Sequence, residues 1–204
     1  LLSDHGVFDG RVLAAHSVWL DNVDIETFAQ KDVRVAHCPV SNMKLASGSA
    51  PIASMRSKGI DVGLATDGPA SNDDLDLWQE IKFAPLLARV SSLNALSMTP
   101  QDALTMATVE GSRAIGNEDA GKLEVGAKAD FIRLDLDDPT FGPVTNDDEL
   151  IAHVAWAGSG RHVTDVWVGG TQVVAQGRLP NFDLEEALRQ VQSRGKRLAQ
   201  DSGT

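Results

Sequence analysis

The sequence predicts an α/β protein, and three observations predict it. Three times in the first 80 residues a short apolar run leads into a polar turn and then a helical pattern. Each run is apolar at nearly every position instead of every second one, which suits parallel strands buried on both faces. Near Lys122 the texture changes to alternating, β-rich segments separated by glycine turns. Strands alternating with helices imply βα units and a parallel sheet, and the later texture implies a separate small β unit.

"RVLAAHSVWL" (Arg11–Leu20) is the first strand run, and "DNVDIETFAQKD" follows as a helix with Val23, Phe28 and Ala29 at amphipathic spacing. "VRVAHCPV" (Val33–Val40) is the second run; a loop separates it from the helix "SAPIASMRSKG", with Pro51 in its first turn and Gly59 just past its end. "IDVGLATDG" (Ile60–Gly68) is the third, followed by the longer amphipathic helix "DLDLWQEIKFAPLLARV". "TPQDALTMATVEGSRAIG" predicts one more helix, with Thr99 as N-cap, Pro100 at the first helical position and an end near Gly116. A β unit from about Lys122 to Leu179 comes next, with a hairpin at Gly169-Gly170. Asn181 to Gln200 reads as an amphipathic terminal helix carrying Leu184, Leu188, Val191 and Leu198. The expected division is therefore 1–121, 122–179 and 180–204.

Composition narrows the function classes. The chain has 204 residues, 42% of them hydrophobic and 23% charged, with a formal net charge of −11. That balance argues against a nucleic-acid or anionic-membrane surface. One cysteine, Cys38, excludes an internal disulfide and is compatible with a reducing cytoplasm. No apolar run approaches the ~20 residues that span a bilayer, and no basic-then-apolar leader is present at the start.

Parallel βα proteins place functional groups at the C-terminal ends of strands. The three runs end in His16; in His37 with Ser41 and Asn42; and in Asp67 with Ser71 and Asn72. A single strand-end histidine is more often structural than catalytic. Three chemistry-bearing residues at strand ends point to a common site. Asp67 closes an apolar run, so its charge must be solvated, paired or metal-bound. Aspartate and histidine suit zinc or iron, yet a catalytic metal commonly takes three or more protein ligands. No His-x-His, His-Glu-x-x-His or Cys-x-x-Cys pair occurs, so on residues alone the metal site is incomplete.

"AHCPVSNMKLASGSAPI" followed by "GLATDGPASNDDLDLWQEIKFAPLL" closely resembles the amidohydrolase superfamily, in its nucleoside and aminohydrolase branch. That branch holds methylthioadenosine/S-adenosylhomocysteine deaminases and triazine chlorohydrolases. "VLAAHSVWL", "GKLEVGAKADFIRLDLDDP" and "VTDVWVGGTQVVAQGRL" match in the same order, so the resemblance spans roughly residues 11 to 179. It implies a metal-dependent (β/α)8 TIM barrel flanked by a small β-sandwich. Because such a barrel takes ~250 residues, the resemblance implies that this chain is its C-terminal portion: three βα units plus part of the sandwich.

The resemblance also implies roles. His16 matches the sixth-strand histidine that orients or polarises the attacking water. Asp67 matches the eighth-strand aspartate that binds one divalent metal, zinc or alternatively iron, and relays a proton from the water. His37, Ser41, Asn42 and Lys44 match the seventh-strand motif, where loop packing outweighs direct substrate contact; Asn42 is a candidate substrate contact along with Asp67. Ser71 and Asn72 are expected to hold the Asp67 turn, and Cys38 to be a buried small hydrophobe.

The family's His-x-His, fifth-strand histidine and general-acid glutamate are absent, and the resemblance places all of them upstream of Leu1. Trp19 stands where related deaminases often carry a histidine. The implied reaction is hydrolytic deamination of an aminated purine or nucleoside, with water and a small molecule as the reactants and a homo-oligomer as the whole enzyme. A triazine-type chlorohydrolase and a guanine- or cytosine-type deaminase are the rival chemistries. The rival of another class is a fragment inactive by itself, or a subunit completed by another chain.

Overall fold

The computed structural model describes residues 1–201. The parallel sheet is built from β1 (Leu13–Ala15), β2 (Arg34–His37) and β3 (Val62–Leu64), with β2 in the centre. Its register aligns Ala15 with Ala36, and Ala36 with Gly63. Helix α1 (Asn22–Gln30) joins β1 to β2; a short turn of helix, α2 (Pro39–Lys44), and then α3 (Ile52–Ser57) join β2 to β3. After β3 come the four-residue α4 (Pro69–Asn72) and the long α5 (Leu77–Ser92). This is the βα alternation the sequence predicts, with shorter strands. The short helices α2 and α4, where the sequence suggests loops, each have proline at the first helical position, where its missing N–H costs nothing.

Local signals explain the boundaries. Asp21 caps α1 by accepting from the Val23 and Asp24 amides, and Asp24 returns a bond to the Asp21 amide. Such reciprocal caps satisfy two otherwise orphaned N–H groups. Ile25 and Phe28 are the residues α1 buries, whereas Val23, expected on the inner face, is 70% exposed in the first turn. Pro51 stands just outside α3 as its N-cap, and Gly59 follows the helix in the left-handed conformation that glycine tolerates.

The helix expected over 99–116 is two: α6 (Pro100–Ala107) and α7 (Val109–Ala114), broken at Thr108. Thr99 caps α6 through a reciprocal bond with Asp102. The break lets α7 lie on β3, where Gly63 and Gly111 touch: a Cβ on Gly63 would stand 2.8 Å from the Gly111 Cα. Glycine at both positions is a packing requirement here. The core between sheet and helices holds Val35, Val62, Met55 and Met106, all without exposure, with Ile25, Phe28 and Ile60 around them.

β1 departs from the expectation of two buried faces: Leu13 is 45% exposed, because β1 pairs only with β2 among the described residues. The parallel sheet is an open set of three strands, so a closed barrel is not seen. β4 (Phe131–Leu134), β5 (Val163–Val168) and β6 (Thr171–Val174) form a second, antiparallel sheet. Gly169 and Gly170 make the β5–β6 turn, both at positive φ as the hairpin reading requires. The β unit also contains a helix that the sequence reading omits, α8 (Asp147–Ala157), packed on α5 and α6. Its signals are in the sequence: Asn146 accepts from the Glu149 amide, and three acids occupy the first turn. The terminal helix is α9 (Leu184–Asp201); it buries no residue, and Leu184, Leu188, Val191 and Leu198 are all exposed. The last three residues of the expected 180–204 segment lie outside the described residues. No helix among the described residues is long and apolar enough to cross a membrane.

The Gly63–Gly111 contact sets a test of the fold. Gly63→Ala is expected to destabilise by about 1–3 kcal/mol through overpacking, read as a lower denaturation midpoint at unchanged slope.

Candidate active site

The strand ends converge as the parallel register dictates. His16 follows Ala15, so it stands level with His37 at the end of β2. Its amide continues the ladder by donating to Ala36 O at 2.9 Å. Asp67 lies three residues beyond the last residue of β3, and the chain reaches it through Ala65 and Thr66. Both His16 (φ 64°) and Asp67 (φ 63°) adopt the left-handed conformation, an uncommon backbone state for residues other than glycine that clusters at functional sites. The turn each makes brings the two side chains together: His16 Nε2 lies 3.9 Å from Asp67 Oδ2.

Asp67 is held by donors alone. Ser41 Oγ and Ser71 Oγ both donate to its Oδ2, at 2.8 and 2.6 Å, and the Gly68 amide donates to Oδ1 at 2.8 Å. These bonds, the Ser71 and Ser41 hydroxyls foremost, bring its pKa down from 3.8 to about 2. Three donors to the charged form explain the direction. Asn72 closes the same turn by donating from Nδ2 to Thr66 O at 2.6 Å. Ser71 and Asn72 thus make the local side-chain bonds that the turn sequence suggests.

His16 is oriented from its other nitrogen. Nδ1 lies 2.9 Å from Asn42 Oδ1. A carbonyl oxygen only accepts, so Nδ1 carries a proton and donates it, and Nε2 faces Asp67 and the cavity beside it. Asn42 is 2% exposed, and its Oδ1 is engaged by His16. In this geometry Asn42 orients the histidine. The cavity, of about 290 Å3, is lined by His16, Val18, Trp19, Ser41, Asn42, Leu45, Ser47 and Asp67. Trp19 stands 85% exposed at its rim.

The other residues of the second strand end separate from this group. His37 is 1% exposed and does not line the cavity. Burial, helped by the neighbouring His16, drives its pKa from 6.5 to about 3, so it is neutral. Cys38 is 3% exposed, its thiol donates to Ala36 O, and burial with the nearby Asp67 and Glu80 charges pushes it up to about 11. That thiol is inert at neutral pH. Lys44 lies at the surface and pairs with Asp73 and Ala70 O. Glu80 carries no signal in the sequence, where it is one more residue of an amphipathic helix pattern. In the fold it is wholly buried in α5 and accepts from the Val40 amide and Asn72 Nδ2.

The donor set can be tested against a metal. Asp67 is ionised, partly exposed and keeps a free lone pair on Oδ1, while His16 turns its Nε2 towards the same oxygen pair. Both fit zinc. Among the described residues, however, no group of three or more His, Cys, Asp or Glu side chains is placed to hold a metal ion. Leu1, upstream of which the resemblance places the remaining ligands, takes no part in the site itself. It is exposed and does not line the cavity. The residues fit as part of a metal site and do not complete one.

The amidohydrolase family model matches residues 1–173. The chain belongs to the amidohydrolase family. It is 44% identical over 193 residues to 5-methylthioadenosine/S-adenosylhomocysteine deaminase of Pelotomaculum thermopropionicum, covering 95% of this chain and 44% of that one. It is 42% identical over 198 residues to 5'-deoxyadenosine deaminase of Methanosarcina acetivorans, covering 97% and 45%. The fold superposes on a zinc-bound adenosine deaminase of Xanthomonas campestris with TM-score 0.92 at 32% identity, covering 98% of this chain and 45% of that one. Atrazine chlorohydrolase of Arthrobacter aurescens, complexed with zinc, superposes with TM-score 0.86 at 29% identity, covering 94% and 42%. This amidohydrolase chain thus spans less than half the length of these relatives.

The hydroxyl clamp on Asp67 gives a pH prediction. A carboxyl depressed from 3.8 to about 2 contributes stability above pH 4 that is lost as pH falls towards 2. Ser71→Ala or Ser41→Ala is expected to raise the Asp67 midpoint towards 3.8, followed by carbon-detected NMR titration of the carboxyl.

Proposed function

We propose that the whole protein containing this chain is a metal-dependent hydrolytic deaminase of an aminated purine nucleoside, of the 5'-methylthioadenosine or S-adenosylhomocysteine type. One observation carries the proposal. His16 and Asp67, held 3.9 Å apart beside a cavity, lie in an amidohydrolase chain 44% identical to a deaminase of that name. Residues 1–121 would supply the last units of a (β/α)8 barrel, 122–179 a segment of the β-sandwich and 180–204 a terminal helix.

A divalent metal, zinc for preference because similar structures carry it, would make water nucleophilic at neutral pH when bound. Asp67 would serve as one ligand through Oδ1, which among the described residues accepts the Gly68 amide alone. Oδ2, gripped by two serine hydroxyls, faces His16, and the Asp67 carboxylate would take the proton of the attacking water. His16, its Nδ1 proton fixed by Asn42, would accept a hydrogen bond from that water at Nε2 and hold it against the ring carbon that loses its amino group. The remaining ligands and the general acid would come from upstream of Leu1, so residues 1–204 alone are expected to be inactive. The working state of the whole protein would be a cytoplasmic homo-oligomer.

The triazine chlorohydrolase reading keeps support from the fold match at TM-score 0.86 and from Trp19, an exposed aromatic residue lining the cavity that would offer an apolar face to a flat heterocycle. Ammonia release from 5'-methylthioadenosine against chloride release from atrazine separates the two. In the whole protein, Asp67→Asn is expected to abolish turnover, by about 1,000-fold or more, the scale of losing a proton acceptor, and to lower bound zinc. Near-normal deamination by this variant would remove Asp67 from the chemistry.

A further inference from the structure

Glu80 is a buried acid that the proposed chemistry does not use. It lies in the first turn of α5 with no solvent exposure. No salt bridge to it forms among the described residues. A buried carboxylate without a cation is costly, and its persistence asks for a reason in the hydrogen bonds it accepts.

Those bonds tie two loops together. Oε2 accepts the Val40 amide at 3.1 Å, and Oε1 accepts Asn72 Nδ2 at 2.7 Å. Val40 immediately precedes Ser41, and Asn72 immediately follows Ser71. These are the two serines whose hydroxyls meet on Asp67 Oδ2. Asn72 Nδ2 also donates to the carbonyl of Thr66, the residue before Asp67. One carboxylate therefore anchors the α2 turn, the α4 turn and the approach to Asp67. We propose that Glu80 is a positioning residue: it sets the separation of the α2 and α4 turns so that both serine hydroxyls reach a single oxygen of Asp67.

The geometry requires two acceptors on one side chain. Glutamine has the same shape and only one carbonyl oxygen, so its NH2 would face either the Val40 N–H or the Asn72 amide donor. A residue that merely filled space would tolerate that exchange, and a tether would not. The catalytic consequence, though not the tether, rests on the proposed deaminase.

The test compares Glu80→Gln with Glu110→Gln in the whole protein. Glu110 is a comparably buried acid, paired with Arg56 beside the start of β3 and remote from the cavity at its other end. Amide hydrogen exchange, bound zinc, melting temperature, kcat and KM are read together. For Glu80→Gln, exchange is expected to quicken by about tenfold or more in residues 40–42 and 68–72, as the loss of about one hydrogen bond implies, and to stay unchanged in the antiparallel sheet. Zinc affinity and kcat should fall about 10- to 100-fold, the usual loss for a group supporting a metal ligand, with KM near its wild-type value. Glu110→Gln should lower the melting temperature and leave exchange in those two turns unaltered. Unchanged exchange in the turns of Glu80→Gln would overturn the proposal. So would a uniform rise across the chain matching that of Glu110→Gln, or wild-type kcat in an active enzyme whose turns have loosened. A wild-type protein without deaminase activity would defeat the proposed function instead, while the exchange data would still decide the tether.

Discussion

Parallel pairing of three short strands governs everything else in the molecule. With Ala15, Ala36 and Gly63 aligned across β1, β2 and β3, the chain leaves all three strands at the same edge of the sheet. The register is secured by burial: Val35 and Val62 are wholly inside, and slipping either strand by one residue would turn them out of the core. Gly63 lets α7 approach β3 closely, so the helix layer and the sheet fix one another. The polar groups of the candidate site are then carried by the few residues after the strands, where backbone turns can face water.

The charge at that edge is managed by hydrogen bonds. Asp67 meets two hydroxyls and one amide, all donors, and stays ionised far below neutral pH. His16 is oriented by Asn42, so its free nitrogen faces the same opening. Behind them Glu80 ties together the turns that carry the hydroxyls. Preorganisation of this kind fixes the protein's own geometry before any ligand arrives. The left-handed backbone at both His16 and Asp67 belongs to the same arrangement, an uncommon state for residues other than glycine.

Much of this is legible in the residues. The βα alternation, the cap at Thr99 and the Gly169-Gly170 hairpin rest on local signals that survive in the fold. Elsewhere long-range packing decides. The segment 99–116 is split into two helices because α7 must lie on β3, and no local propensity marks Thr108 as the break. α8 escapes a local reading although Asn146 and Glu149 announce it, since its neighbours read as strands. Spacing turns Val23 inward, yet Ile25 is the residue the core takes.

Residue type and order alone set the class of chemistry. Histidine and aspartate closing successive apolar runs, within motifs long enough to resemble one family, suffice for that, because they are properties of the chain. Which of the strand-end groups come together was chosen by folding. His16 and His37 look alike in sequence; one opens onto the cavity beside Asp67, and the other is sealed and neutral. Glu80, silent in its helix, proves to be the acceptor between two loops. The cause is the same in each case: burial and hydrogen-bond partnership arise between segments distant along the chain, and they are set once the sheet and helices have closed on one another.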